Sequence, residues 1–91
     1  MTMVLERTCV ILNRLGLHAR TATRLVETAS RFGADIELEK DGKRVNGASL
    51  IQVLTLVASR GDRVVVRARG DDAAAAMSAL EALLQDKFGE R

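Results

Sequence analysis

The chain has 91 residues, 47% hydrophobic and 29% charged, with 14 basic and 12 acidic side chains, one histidine, one cysteine and no proline. That is the size and balance of one globular domain, residues 1–91, rather than a disordered segment, and no apolar run approaches the roughly 18 to 20 residues of a membrane span. With only Phe32 and Phe88 as aromatics, the chain lacks the stacking platforms expected of a single-stranded nucleic-acid binder. The lone Cys9, set in the apolar run "TCVIL", has no internal disulfide partner and reads as a small buried hydrophobe in a reducing, cytoplasmic protein. The N-terminal "MTMVLERT" has no charged-then-apolar signal layout.

In chain order, "RTCVIL" is rich in β-formers and ends at Asn13 and Gly16, which predicts a strand over about Glu6 to Leu12 and then a loop. From His18 onward, Ala19, Ala22, Leu25, Val26 and Ala29 recur at helical spacing, and Gly33 supplies a left-handed stop. "DIELEK" alternates apolar and charged residues, "DG" at Asp41 and Gly42 is a two-residue hairpin turn, and "KRVN" returns as a second strand. Ser49 caps a short helix "LIQVLTLV" that Gly61 terminates. In "DRVVVRARG", Val64, Val66 and Ala68 share one face, with Arg63, Val65, Arg67 and Arg69 on the wetter one. Asp71 or Asp72 caps a last helix with the stripe Ala73, Ala76, Met77, Leu80, Leu83 and Leu84. The order β-α-β-β-α-β-α predicts a two-layer α+β domain, an antiparallel sheet of four strands with three helices on one face.

The chemistry centres on His18, the only histidine, placed where a glycine-bearing loop gives way to a helix. A hydrolytic triad has no local signature here, and a metal site would have one histidine, one buried cysteine and otherwise only carboxylates. The remaining chemistry is nucleophilic. A neutral imidazole attacks phosphorus without a separate base, and a phosphoryl group on it would meet unpaired helix N–H groups, the positive end of the dipole and nearby Arg20. Spacing alone leaves open that His18 is simply an exposed capping residue.

"GLHAR", Gly16 to Arg20, followed about thirty residues later by "NGASLIQVLTL", resembles the HPr family, histidine-containing phosphocarriers of the phosphoenolpyruvate-dependent sugar phosphotransferase system. The resemblance spans almost the whole chain and implies an open-faced β-sandwich. It implies further that His18 takes a phosphoryl group on Nδ1 from enzyme I and passes it to IIA domains, and that Arg20 steadies the phosphate. Ser49 matches the family's regulatory serine, the target of an HPr kinase in many bacteria. The family usually has proline after "HAR", where this chain has Thr21. Thr21 has an N–H and a hydroxyl near His18 that could reach a phosphoryl oxygen. Thr21→Pro is expected to stabilise the domain by about 0.4 to 1 kcal/mol through the unfolded state.

At 100° per residue, Leu50, Ile51, Val53, Leu54, Leu56 and Val57 cover an arc of roughly 220°, wider than one core-facing stripe needs. Val53, Leu56 and Val57 are expected to face the sheet, leaving Leu50, Ile51 and Leu54 as an apolar docking patch; burial of the short helix beneath a loop is the alternative. Arg14, Arg20, Arg24 and Arg31 would form a basic rim around the first helix, steering acidic partners such as enzyme I or a IIA domain, unless they are only a solvated face. The expected protein is therefore a monomeric carrier without cofactor or metal, not an enzyme, and it engages neither membrane nor nucleic acid. Two other readings compete: a nitrogen-related regulatory paralogue of the same family, and a small nucleic-acid-binding α+β module suggested by the basic strand "RVVVRARG".

Overall fold

Alternating apolar positions and one tight turn generate the sheet of this protein, seen here in a computed structural model that describes residues 3–90. Its elements are β1 (Val4–Val10), α1 (Ala19–Ser30), β2 (Asp35–Lys40), β3 (Lys43–Asn46), α2 (Leu50–Leu54), β4 (Arg63–Arg69) and α3 (Ala73–Gln85), followed by a 3-10 turn over Lys87–Gly89. The strands are antiparallel in the order β1-β4-β2-β3. Asp41 and Gly42 both take positive φ, 51° and 82°, the left-handed pair that a two-residue hairpin turn requires.

Ile36 and Leu38 of β2, Val45 of β3, and Val64, Val66 and Ala68 of β4 are buried on one sheet face. Against them pack Ala22, Leu25 and Ala29 of α1, Val53 of α2, and Ala73, Ala76, Met77, Leu80 and Leu84 of α3. All three helices lie on that face, giving an open-faced β-sandwich. On the other face Arg67 is held by three carboxylates, Glu6 at 2.7 Å, Glu37 at 2.9 Å and Glu39 at 2.7 Å. Hydrogen bonding to Arg67 lowers the Glu39 carboxyl below its usual range, and the same three glutamates raise the guanidinium.

Several boundaries differ from the sequence reading. β1 runs two residues earlier than expected, because beyond Val10 the backbone of Ile11 pairs instead with the loop ahead of β4, accepting from Gly61 N–H at 2.8 Å and donating to Asp62 at 2.9 Å. Cys9 is half-buried at the edge of the core rather than inside it. Desolvation there, with Glu81 nearby, raises its thiol above the ordinary value. Gly33 is not a left-handed stop, since α1 ends in a right-handed Arg31; the Gly33 N–H instead donates to the Asp72 carboxylate at 2.7 Å. Asp72 is the N-cap of α3 but makes no side-chain cap bond there.

The largest difference is in α2, which closes after Leu54. Lys43 Nζ donates to the Thr55 carbonyl at 3.0 Å, and Lys40 Nζ reaches the Leu56 and Val57 carbonyls at 3.4 Å. These lysines from the hairpin satisfy carbonyls that the early end of the helix leaves without intrahelical partners. The chain then turns through Val57 with φ of 51°, so Val57 is 71% exposed while Val53 and Leu56 are buried. Among the described residues no helix is long and apolar enough to cross a membrane.

Candidate functional site

The loop between β1 and α1 is fixed at Gly16, whose φ is +69° and whose hypothetical Cβ would run into the Ala58 carbonyl and lie 2.8 Å from Ser59 Cα. Leu17 N–H donates to that same Ala58 carbonyl at 2.8 Å, so the loop lies directly on the segment after α2. The Gly16 carbonyl accepts from Asn13 Nδ2 and from the Thr21 hydroxyl, both at 2.8 Å. Loop and helix start are thereby locked as one unit.

His18 is the N-cap of α1, with extended backbone at φ −121° and ψ −176°. Its Nδ1 accepts from Arg20 N–H at 3.3 Å, and its own N–H donates to Thr21 Oγ1 at 3.0 Å, a reciprocal capping arrangement. On the far side of the ring, Nε2 lies 3.0 Å from Glu90 Oε2. An Nδ1 that accepts carries no proton, so the neutral ring holds its proton on Nε2 and donates it to Glu90. The nucleophilic nitrogen therefore points at the helix N-terminus, where the first amides have no intrahelical partners and the dipole is positive. The ring retains 32% exposure, enough for a donor to reach it.

Beside the ring, which touches Glu90 and the Arg20 amide, Arg14, Leu15, Arg20, Arg24, Gly89 and Glu90 line a cleft of about 410 Å³. Arg31 closes the opposite end of the twelve-residue α1, about 20 Å away at 1.5 Å per residue, and so is not part of the basic rim. Arg24 does more than line the cleft, because its guanidinium donates to the Phe88 carbonyl and so holds the C-terminal turn in place. Arg20 is exposed and contributes its backbone N–H to Nδ1.

Ser49 caps α2, its Oγ accepting from Gln52 N–H at 3.3 Å. Of the expected docking patch, Ile51 is 77% and Leu50 37% exposed, but Leu54 is half-buried and packs against the core. The patch is narrower than the arc implied, because one turn of helix leaves no room for a second apolar face.

Thr21 also departs from expectation. It is fully buried at 0% exposure, and its hydroxyl is engaged by the Gly16 carbonyl and the His18 N–H rather than free for a phosphoryl oxygen. Proline would delete both bonds. Together they are worth about 1 to 3 kcal/mol, more than proline's gain of about 0.4 to 1 kcal/mol from the unfolded chain. Thr21→Pro is therefore expected to destabilise the domain by about 0.5 to 2 kcal/mol in urea unfolding, reversing the sign expected from sequence. A raised midpoint would show that the two bonds count for little.

Two further site residues escaped the sequence reading. Asn13 is 1% exposed and donates from Nδ2 to Glu90 Oε1 at 3.0 Å as well as to the Gly16 carbonyl. Hydrogen bonding from Asn13, then from His18, with the charge of Arg20 adding to it, lowers the Glu90 carboxyl below its usual range. The available signal was Phe88, one of two aromatics in the chain, placed past the last helical stripe where a buried anchor would be needed.

Comparison with known proteins extends this geometry. A family model described as "PTS HPr component phosphorylation site" matches residues 5–86. Phosphocarrier protein HPr of Xylella fastidiosa (strain 9a5c) is 40% identical over 87 residues, covering 96% of this chain and 98% of that protein. Phosphocarrier protein NPr of Shewanella violacea is 42% identical, covering 94% of each. The crystal structure of HPr-C-His from Thermoanaerobacter tengcongensis matches with a TM-score of 0.93 at 45% identity, over 96% of this chain and 98% of that one. With matches of this length at this identity, the chain belongs to the HPr family of phosphotransferase-system phosphocarriers.

Proposed function

We propose that this protein accepts a phosphoryl group on Nδ1 of His18 from phosphorylated enzyme I and passes it to IIA domains of sugar permeases. It acts as a monomeric cytoplasmic carrier that is itself modified, needing no metal or cofactor of its own, rather than as an enzyme with a small-molecule substrate. The observation that supports this most is the orientation of His18: Nδ1 faces the Arg20 amide at the start of α1, while Nε2 is occupied by Glu90. A phosphoryl group on Nδ1 would replace the ring nitrogen as acceptor for that amide, and the Arg20 side chain would meet its oxygens from the cleft. Incubation with phosphoenolpyruvate, Mg²⁺ and enzyme I is expected to yield one acid-labile phosphate per chain. Failure to incorporate any would reject the assignment.

Arg20→Ala is expected to slow transfer by about tenfold to a hundredfold without abolishing it, since the backbone amides remain as donors. Stopped-flow or quench measurements at fixed enzyme I decide this, and an unchanged rate would remove the side chain from the site. Ser49 is read as a regulatory position for an HPr kinase. A phosphate there adds about −1.5 to −2 charge at a helix start, where the dipole accommodates it, beside Leu50 and Ile51. Ser49→Asp is expected to leave the fold intact and to weaken docking to enzyme I severalfold in titration calorimetry; equal affinity would contradict the role.

The nitrogen-related branch is supported by the NPr relative, whose 42% identity is close to the 40% of the HPr relative. The two branches share the His18 chemistry and differ in the IIA acceptor, so competition between IIA domains for the phosphorylated protein separates them. The nucleic-acid reading loses ground because Arg67, central in the basic strand, is already paired with Glu6, Glu37 and Glu39.

A further inference from the structure

We propose that Glu90 is a positioning residue of the phosphoryl-acceptor site: its carboxylate keeps the His18 proton on Nε2 and stabilises the positive charge that the ring acquires on phosphorylation. This rests on the His18 reading above and concerns a residue outside the "GLHAR" motif.

The C-terminal segment is built as a strap that delivers this carboxylate. Phe88 is buried completely, anchoring the segment in the core beyond the end of α3. Lys87 and Phe88 both take φ of 56°, a left-handed conformation that non-glycine residues rarely adopt and that is retained only where surrounding contacts impose it. Arg24 donates to the Phe88 carbonyl. Gly89 has φ of +75°, a conformation that favours glycine, and a Cβ there would come within 2.8 Å of Arg24 Nη1, so a side chain would be strained and would push the guanidinium aside. Beyond it Glu90, 19% exposed on its side chain, meets Asn13 Nδ2 with one oxygen and His18 Nε2 with the other, each at 3.0 Å.

Asn13 gives independent support. Its amide is oriented so that Nδ2 faces both the Gly16 carbonyl and Glu90, which leaves its buried Oδ1 without a partner among the described residues. An orphaned buried acceptor is costly. The opposite orientation would set Oδ1 against two acceptor oxygens, so the arrangement is the one that retains the carboxylate.

In the transfer step the Nδ1 lone pair attacks phosphorus, the N–P bond forms, and the donor's bond to phosphorus breaks with its electron pair leaving on the donor. No proton needs to move. The Nε2 proton stays on the ring, which passes from neutral imidazole to phosphoimidazolium. Arg14, Arg20 and Arg24 line the cleft that Glu90 shares beside the ring, where they favour the phosphoryl oxygens but oppose a cationic ring. Glu90 is the anion placed against that ring, and it favours the phosphorylated form.

The test uses the full chain with enzyme I, Mg²⁺ and a fixed ratio of phosphoenolpyruvate to pyruvate, comparing wild type with Glu90→Gln. Glutamine retains an acceptor oxygen but no charge. The equilibrium ratio of phosphorylated to free protein is expected to fall about three- to tenfold. In ¹⁵N spectra, phosphorylated His18 is expected to lose its Nε2 proton at correspondingly lower pH, a change that loss of a merely structural contact would not produce. Urea unfolding of both proteins checks that the fold is retained. Full phosphorylation of wild type with an unchanged ratio and an unchanged titration in Glu90→Gln overturns the role of Glu90. If wild type takes no phosphate at all, the His18 reading itself fails and this inference fails with it.

Discussion

His18→Ala is expected to abolish phosphoryl acceptance altogether while leaving the domain folded. The chain contains one histidine, so no second imidazole can substitute, and the Arg20 amide would have no ring nitrogen in front of it. The structural consequence is limited because the ring is a cap on α1, not a core element. Losing the Nδ1 acceptor and the Glu90 contact should cost about 0.5 to 2 kcal/mol. Phosphate incorporation from phosphoenolpyruvate through enzyme I, measured beside urea unfolding, gives both numbers. Residual incorporation in the variant would mean that the nucleophile lies elsewhere, and a collapse of stability would mean that His18 is chiefly structural.

Phe88→Ala is expected to have the largest effect on stability, about 3 to 5 kcal/mol, because it removes a fully buried aromatic and leaves a cavity where the strap meets the helices. In a domain whose whole stability is of order 5 to 15 kcal/mol, that is a large share. The loss should appear as a shifted urea midpoint. It should also release the turn that Arg24 holds and that carries Glu90 to His18, so the His18 ring resonances should move although the mutation is remote in sequence. A loss under about 1 kcal/mol with unmoved His18 resonances would show that Phe88 does not anchor the strap.

What could be read from the sequence was local. The Asp41-Gly42 turn demands positive φ at both positions, the alternation in "DIELEK" demands a half-buried strand, and Ser49 before an apolar run marks a helix start; all three are present in the fold. The four strands and three helices on one face follow from the same periodicities. What could not be read depended on residues distant in the chain. α2 gives way after Leu54, where Lys40 and Lys43 reach from the hairpin to the Thr55, Leu56 and Val57 carbonyls, and nothing within "LIQVLTLV" signals that. Gly33 precedes β2 without a left-handed φ because its N–H has a partner in Asp72, thirty-nine residues on.

The site divides the same way. His18 and Arg20 were legible because a histidine opening a helical pattern is a local feature with a chemical consequence. Thr21 was misjudged because its hydroxyl answers to the Gly16 carbonyl, a contact that forms only once the loop has turned. Asn13 and Glu90 lie seventy-seven residues apart and meet through a strap whose course is set by the burial of Phe88. Arg24 looked like one more cation on a solvated rim, yet its guanidinium is bonded to the Phe88 carbonyl.

The central claim, that Nδ1 of His18 is the atom that takes the phosphoryl group, is tested most directly by ³¹P and ¹⁵N spectra of the ¹⁵N-labelled protein after reaction with phosphoenolpyruvate, Mg²⁺ and enzyme I. The account predicts a single phosphate per chain, with phosphorus coupled to Nδ1 of His18 and the proton retained on Nε2. Phosphorus coupled to Nε2, or phosphate found on any other residue, would contradict it.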